Sequence, residues 1–296
     1  MTKRSPKRAV PVVLALLLAA CGGGTPASEP GTSTEGSGPA SPSAAAPNVV
    51  LFALGDSIPF NLEDDCPGCT GFVNSYGAHL QDQLGEPVAV INESRHDSAT
   101  TSDIVEQLQT DQAFLDELAT ADVVVMSVGF NDQPPFLEAH DGCPEPIGDA
   151  SPLSTVFERA AATSRECIDS VVQVTRDRIA EVFAGIREQA PNAPIAALTA
   201  YDTWVGWSEL DSTDAQTRDQ LLAAENYWFH QWRDAMCEEA AVVDATCIDV
   251  YTAFNGADGT QPAGDFVGAD YTHPNQHGND VIRELLIEAN LPLPPG

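Results

Sequence analysis

The sequence contains three polar side chains that together could carry out nucleophilic catalysis. Ser57 closes the triplet Gly-Asp-Ser directly after the apolar run 49–54. Asp270 and His273 stand three residues apart in the stretch GADYTHPNQHG. A serine becomes a nucleophile when a histidine accepts its proton and a carboxylate orients that histidine. Ser57, His273 and Asp270 are therefore a candidate catalytic triad, whereas Ser57 on its own could equally be the cap of a helix.

A fourth polar side chain, Asn131, could supply the hydrogen bonds that such a reaction needs. It lies in Gly-Phe-Asn-Asp, residues 129–132, directly after the apolar run DVVVMSV. An asparagine amide at the end of a strand can donate to the oxygen on which negative charge develops. The same four residues are also good turn formers, so the motif is informative only together with the other three residues.

These residues must be positioned by elements that alternate along the chain. Short apolar runs predict strands, and longer stretches with helical spacing lie between them. The strands are predicted at 49–54, 88–91, 122–128, 194–199 and 241–245, with a longer alternative for the last that reaches Val250. The longest helical regions are predicted at 154–190, 213–240 and 276–290. Continuous β-branched runs and β/α alternation indicate a parallel sheet covered on both faces. Ligands bind such sheets at the carboxyl ends of the strands, where Ser57 and Asn131 fall.

Three motifs in this order resemble those of the SGNH (GDSL) hydrolases, and the resemblance extends over residues 48 to 290. The first motif is Gly-Asp-Ser-Ile at 55–58, the second Gly-x-Asn-Asp at 129–132, and the third Asp-x-x-His-Pro at 270–274. The resemblance implies a three-layer α/β/α sandwich, flavodoxin-like, with a mostly parallel five-stranded sheet. It also implies a serine esterase that needs no metal or organic cofactor.

The resemblance further implies a role for each matched residue. Ser57 would attack the ester, His273 would be the base and Asp270 would fix its tautomer. The oxyanion would be held by the backbone N–H groups of Ser57 and Ser98 and by the side chain of Asn131. The family usually has glycine where this chain has Ser98, so the backbone at that position could be strained. Asn92 and His96, in the same loop, are expected near the site or the substrate rather than in the chemical step.

Three other interpretations of the same motifs can be weighed against the residues. Asp270, His273 and His277 could form a zinc site, but Pro274 interrupts the helix that such a pair of histidines would need. A Gly-x-Ser-x-Gly elbow of the α/β-hydrolase type is excluded by Pro59, two residues after Ser57. A binding protein that keeps the fold without activity is the main alternative, favoured by Ser98 in place of glycine.

Aromatic residues after the predicted strands are candidates for the substrate site. Phe60, Phe130, Trp204 and Trp207 are the expected lining residues, and Tyr201 and Phe136 lie nearby in the sequence. Such side chains suit an acyl chain or a sugar face, although they could also be plugs of the core. The insertion 133–153 is expected to shape one wall of the cleft. The predicted substrate is an acyl lipid or an O-acetylated glycan.

The N-terminal residues predict an exported and lipid-anchored protein. Residues 1–20 have a basic start and an apolar run typical of a signal peptide, and they end in Leu-Ala-Ala before Cys21, which resembles a lipobox. Residues 21–47 would then be the lipidated cysteine and a tether rich in Gly, Pro and Ser. Residues 48–296 are left for one domain. We expect the enzyme on the outer face of the cell membrane, as a monomer.

Composition restricts the partners and the redox state. The chain has 44 acidic and 13 basic residues and a net charge of −31, which argues against nucleic acid as a partner. Beyond Cys21 six cysteines remain, an even number that predicts three disulfides in an exported protein. Many pairings are possible, and the favoured one is sequential: Cys66–Cys69, Cys143–Cys167 and Cys237–Cys247. A redox pair or half of a zinc site at Cys66 and Cys69 is the alternative.

Overall fold

A computed structural model describes residues 49–136, 138–147 and 151–293 of the chain. The predicted signal peptide, Cys21 and the tether lie outside these residues. Within the described ranges, no helix has the length and apolar character needed to cross a membrane.

The core is one five-stranded sheet in which every neighbouring pair of strands is parallel. Its strands are β1 Val49–Gly55, β2 Val88–Asn92, β3 Val123–Ser127, β4 Ile195–Leu198 and β5 Thr246–Ile248. They lie in the order β2-β1-β3-β4-β5. All residues of β3 and β4 are buried, as expected for β-branched and small apolar strands covered on both faces.

Helices cover the sheet. They are α1 Ser57–Phe60, α2 Phe72–Leu84, α3 Thr101–Thr110, α4 Gln112–Leu118, α5 Leu153–Ala161, α6 Arg165–Gln189, α7 Ala215–Val242, α8 Val250–Asn255 and α9 Gln276–Ala289. One group packs α2 against α9, and the other packs α3, α6 and α7 in succession, with α5 against α7. The predicted α/β fold with a parallel five-stranded sheet is confirmed.

Two predicted elements differ from the structure for local reasons. The apolar run 241–245 is not a strand, because α7 continues to Val242 and the chain turns at Asp244 with φ 53° before β5 begins. The helical region 154–190 is broken between α5 and α6. Ser164 starts a new helix there, because its hydroxyl accepts a hydrogen bond from the N–H of Cys167.

The cysteines are joined in the sequential pattern. Cys66 is bonded to Cys69, Cys143 to Cys167, and Cys237 to Cys247. The second bond ties the segment after β3 to the start of α6, and the third ties the last part of α7 to β5. The first closes a short loop between α1 and α2, so Cys66 and Cys69 form neither a free thiol pair nor a metal-binding pair.

The order of the strands places a ligand crevice next to β1 and β3. Connections from β1 run to β2 on one side, whereas β3, β4 and β5 follow on the other. In doubly wound sheets the crevice at this reversal, outside the carboxyl ends of the strands, is where ligands bind. Ser57 follows β1 and Asn131 follows β3. The fold therefore brings these two residues to the same edge of the sheet.

Candidate active site

The turn between β1 and α1 presents Ser57 at the start of a helix. Gly55 has φ 143°, and a β-carbon there would lie 1.8 Å from the carbonyl oxygen of Ser127, so only glycine fits. Asp56 caps α1 by accepting from the N–H of Ile58 at 3.0 Å. As the first helical residue, Ser57 has an N–H with no partner inside the helix. Both the hydroxyl and the N–H of Ser57 are thus held at one place.

The loop 267–275 holds His273 against Ser57. The distance from His273 Nε2 to Ser57 Oγ is 2.9 Å, and that from His273 Nδ1 to Asp270 Oδ2 is 2.6 Å. The other carboxylate oxygen of Asp270 accepts from the backbone N–H groups of Thr272 and His273 at 3.0 and 3.2 Å. Tyr201, a buried residue after β4, donates its hydroxyl to the carbonyl of Thr272 at 2.7 Å. This loop therefore fixes both the carboxylate and the ring.

A second carboxylate, that of Asp65, also faces His273. Its Oδ2 lies 3.5 Å from His273 Nδ1 and 2.7 Å from His96 Nε2. The rings of His96 and His273 are stacked with centroids 5.4 Å apart. His96 is one of the residues predicted near the site, whereas no local pattern indicated Asp65. Asp65 follows a short helix and precedes a disulfide, and only the folded chain places it beside a residue more than 200 positions away.

Ser98 and Asn131 lie together at the edge where an oxyanion would be held. Ser98 has φ 61°, so this serine does occupy the left-handed conformation that glycine favours. Its backbone N–H makes no hydrogen bond within the described part of the chain and can serve a ligand. Asn131 Nδ2 donates to the carbonyl of Ala99 at 3.0 Å. That bond joins the loop after β3 to the loop that carries Ser98.

Buried Asp132 braces the same two loops, a role that the sequence analysis did not assign. Its carboxylate accepts from the N–H of Thr101 at 3.0 Å and from the Thr101 hydroxyl at 2.5 Å. Thr101 is the first residue of α3, which Thr100 and Asp103 begin with a capping box. Arg178 Nη1 lies 3.9 Å away from the Asp132 carboxylate. Ala99 and Thr101, which follow Ser98 closely in the chain, are thus both tied to the loop after β3.

The electrostatics of the site are dominated by burial and by the carboxylates. Burial raises the pKa of Asp56 to about 7 and that of Asp132 to about 6, although hydrogen bonds from backbone or side-chain donors act in the opposite direction. Burial lowers the pKa of His273. The hydrogen bond to Asp270 and the charges of Asp270, Asp65 and Asp56 outweigh it, so the pKa of His273 lies above its usual value. For Asp270, burial is outweighed by hydrogen bonds and by His273, so its pKa is lowered.

An apolar cavity of about 280 Å³ opens beside the triad. Its polar lining residues include four of the site and three others: Ser98, Asn131, Asp270, Thr272, Gln133, Ser151 and Thr203. The remainder is lined mainly by apolar and aromatic side chains: Phe130, Phe136, Ile147, Leu153, Val156, Trp204, Trp207 and Tyr271. A cavity lined by apolar side chains and some polar groups suits a small molecule with a polar reacting group.

Of the residues predicted to line the substrate site, most line the cavity and one lies beside His96 instead. Phe130, Trp204 and Trp207 line the cavity, and so does Phe136 from the insertion 133–153. Phe60 does not line it. Its ring lies 5.6 Å from that of His96, on the side of the triad where Asp65 is found. Tyr201 is buried and donates a hydrogen bond to the loop that carries His273, and it does not line the cavity.

The zinc site considered for Asp270, His273 and His277 has no support in the geometry. His277 lies on α9, is exposed, and has its Nδ1 3.3 Å from the carbonyl oxygen of Asp265. Within the described ranges, the cluster of side chains with the spacing of metal ligands is Asp65, His96 and His273.

Residues 53–281 match the GDSL-like Lipase/Acylhydrolase family. The match covers more than half of the chain and includes Ser57, Asn131, Asp270 and His273, so the protein belongs to this family. It is accordingly a carboxylic ester hydrolase. A search of curated proteins found no match.

Solved structures show the same fold at low sequence identity. The lipase Lip_vut3 from a goat rumen metagenome has a TM-score of 0.59 and 17% identity, covering 81% of this chain and 97% of its own. An extracellular lipase from Streptomyces rimosus has a TM-score of 0.52 and 16% identity, with 81% and 99% covered. A catalytic mutant of Axe2, an acetylxylan esterase from Geobacillus stearothermophilus, has a TM-score of 0.52 and 14% identity, with 82% and 94% covered.

Proposed function

We propose that the protein is an extracytoplasmic serine esterase that forms an acyl-enzyme on Ser57. The observation that carries the proposal is the bridge made by His273, which is 2.9 Å from Ser57 Oγ and 2.6 Å from Asp270 Oδ2. A serine, a base and an orienting carboxylate at these distances can deliver a nucleophile to a bound ester. Membership of an acylhydrolase family agrees with this chemistry.

The reaction has two halves. Ser57 Oγ attacks the ester carbonyl while its proton passes to His273 Nε2, and Asp270 stabilises the imidazolium that forms. The oxyanion is held by the N–H groups of Ser57 and Ser98 and by the amide of Asn131. Collapse breaks the bond to the alcohol, which takes the proton from His273. Water then attacks the acyl-enzyme with His273 as base, and the acid leaves.

The acyl group of the substrate is proposed to enter the 280 Å³ cavity. Its walls are apolar, and the volume lies near the lower end of the range typical of small-molecule sites. These properties favour an ester of a short or medium acyl chain. An O-acetylated glycan is the second candidate, because Trp207 and Tyr271 could face a sugar; one protein of similar fold is named an acetylxylan esterase.

A panel of substrates tests both points. We expect p-nitrophenyl butyrate or hexanoate to give a higher kcat/KM than the acetate and the palmitate, and acetylated xylooligosaccharides to serve as the glycan arm. Ser57→Ala should lower kcat/KM by at least about 10³-fold. Ser170→Ala is the matched control, because Ser170 is an exposed residue of α6. If Ser57→Ala hydrolysed esters as fast as the wild type, the enzyme reading would be wrong.

A non-catalytic binding protein is the second candidate function. The observation in its favour is the left-handed serine at position 98, where the family that the sequence resembles usually has glycine. Equal activity of wild type and Ser57→Ala, together with saturable binding of an ester or glycan, would support it.

The cellular location is proposed from the N-terminal sequence. Cleavage before Cys21 and acylation of that residue would place the domain on the outer face of the membrane, at the end of a tether. Three disulfides agree with an oxidising compartment. Mass spectrometry of the N-terminus should find a diacylated cysteine, and Cys21→Ser should release the protein from membranes. An unmodified N-terminus at Met1 would contradict the proposal.

A further inference from the structure

Asp65 and His96 lie against the catalytic base His273, and neither of them takes part in a chemical step of the proposed reaction. Asp65 Oδ2 lies 2.7 Å from His96 Nε2 and 3.5 Å from His273 Nδ1. One ligand atom from each residue falls within 4.8 Å of the other two. The carboxylate and the two imidazole nitrogens are so close that a small movement apart lets all three contact one ion.

The cluster is held in this arrangement by its neighbours. The ring of His96 lies between two others, with centroids 5.4 Å from His273 and 5.6 Å from Phe60. The backbone N–H of Asp65 donates to the carbonyl of Leu62 at 3.1 Å. Cys66, the residue after Asp65, is bonded to Cys69. Little conformational freedom remains to be lost when a ligand binds.

The cluster is open to solvent, and the negative charge of the chain favours a cation there. The side chains of His96, Asp65 and His273 are 30%, 16% and 15% exposed, so an ion can reach them from solution. The nearest cationic residue in the sequence, Arg95, is engaged by Asp97 at 2.6 Å. A chain of net charge −31 also raises the local concentration of cations.

We propose that Asp65, His96 and His273 form an inhibitory site for zinc(II). Two imidazoles and a carboxylate are ligands that Zn²⁺ accepts, and three protein ligands leave a fourth position for water. Asp270 Oδ2, 2.6 Å from His273 Nδ1, is available as a further oxygen ligand. Mg²⁺ prefers oxygen ligands in an octahedral arrangement and is not expected to bind here. The ion is an inhibitor in this proposal and takes no part in ester hydrolysis.

The inhibition follows from the tautomer of His273, and this part rests on the proposed function of His273 as base. In the active tautomer Nδ1 carries the proton towards Asp270 and Nε2 is free to accept the proton of Ser57. A metal on Nδ1 displaces that proton, and the neutral ring must then carry its proton on Nε2. An imidazole in this form cannot accept the proton of Ser57, so the ester is not attacked.

Zinc titration of activity is the first test. Hydrolysis of p-nitrophenyl butyrate by the wild type, in a buffer that does not bind metals, should fall with ZnCl₂ and recover with EDTA, and MgCl₂ should have no effect. His96→Gln should raise the half-inhibitory zinc concentration by about 10-fold or more, measured against its own zinc-free rate. His277→Gln is the matched control, because His277 is the other histidine close to the loop and lies outside the cluster. It should leave the half-inhibitory concentration unchanged.

Calorimetry with ZnCl₂ is the second test, and it does not depend on esterase activity. Ser57→Ala should bind one zinc ion per chain as tightly as the wild type, whereas His96→Gln and Asp65→Asn should bind it about 10-fold or more weakly. If the protein lacked esterase activity, this pattern would still support the site, so the failure of the proposed function is distinguishable. Absence of saturable binding, or equal binding by His96→Gln and His277→Gln, would overturn the site. Binding without inhibition would overturn its location on Nδ1.

Discussion

The two halves of the active site differ in how many contacts support each group. In the half that handles the proton, His273 faces two carboxylates, Asp270 at 2.6 Å and Asp65 at 3.5 Å. In the half that would hold the oxyanion, Asp132 braces the loops, but the N–H of Ser98 and the amide of Asn131 are single donors with no second group to replace them, and Ser98 also needs a left-handed backbone conformation. The proton-handling half therefore has a reserve, meaning a second carboxylate that still faces His273 when the first is removed. The oxyanion half has no such second group. Substitutions should be tolerated better in the first than in the second.

The strongest test of this difference is the double variant Asp65→Asn/Asp270→Asn. A lone triad carboxylate changed to its amide costs about 10⁴-fold in rate, because the histidine takes the wrong tautomer. We expect a loss of that size only when both carboxylates are gone. Asp270→Asn alone should lose about 10- to 100-fold in kcat/KM, because Asp65 still faces Nδ1. A double-mutant cycle on kcat/KM measures the coupling between them.

The control for this cycle is Asp64→Asn, which changes an exposed acid next to Asp65 in sequence. It should leave kcat/KM within about twofold, since surface charges at such sites contribute little. A loss of 10⁴-fold in Asp270→Asn, with nothing added by Asp65→Asn, would show that Asp65 gives no support.

Asn131→Ala tests the half without a reserve. Loss of one oxyanion donor typically costs about 10²–10³ in rate, and here the bond to Ala99 that helps place Ser98 is lost as well. The variant should remain folded, because Asp132 still ties this loop to Thr101. kcat/KM and the melting temperature should be compared with Asn74→Ala, a change at an exposed position of α2. Activity within a few-fold of the wild type would remove Asn131 from the oxyanion site.

The residues just compared also show what a sequence can predict here. Ser57, Asn131, Asp270 and His273 sit in short motifs after strands, and the fold of a parallel sheet brings strand ends together whatever the details of packing. The left-handed backbone of Ser98 was anticipated, because the position is usually glycine. These features depend on a few neighbouring residues and on the topology.

Other features depend on contacts between distant segments and had no local signal. Asp65, in the segment between α1 and α2, approaches His273 only in the folded chain, and Asp132 meets Thr101 only when the loop after β3 and the start of α3 have come together. The late start of the fifth strand has a similar cause. Residues 241–245 are apolar, but the preceding helix continues into them and the turn at Asp244 delays β5.

Asp65→Asn alone tests the influence of Asp65 on His273 through the pH dependence of kcat/KM. The charge of Asp65 is one of the causes that raise the pKa of His273 above its usual value. His273 must be neutral to accept a proton, so activity should rise with pH as this group loses its proton. Removing the charge should shift the acid limb of kcat/KM to lower pH and change the plateau only a few-fold. The same profile for Asp64→Asn should match the wild type. An acid limb that does not move would show that Asp65 exerts no field on the base.

Ser98→Gly is expected to have the smallest effect and tests the oxyanion half most directly. The N–H of residue 98 is retained in this variant, so kcat/KM should stay within about twofold of the wild type. The left-handed φ of 61° costs serine on the order of 1 kcal/mol, which glycine avoids, although glycine also loses more entropy on folding. The free energy of unfolding in urea should therefore change by less than about 1 kcal/mol, in the stabilising direction.

Ser98→Ala and Ser98→Pro decide which part of this residue acts. Alanine keeps the N–H and the strain but lacks the hydroxyl, so activity like that of the wild type is expected if the backbone is the donor. Proline lacks the N–H and cannot adopt a positive φ, so it should lose at least as much activity as Asn131→Ala. A large loss in both Ser98→Gly and Ser98→Ala would assign the donor to the hydroxyl. The oxyanion half would then rest on side chains, as the proton-handling half does, and the contrast between the two would disappear.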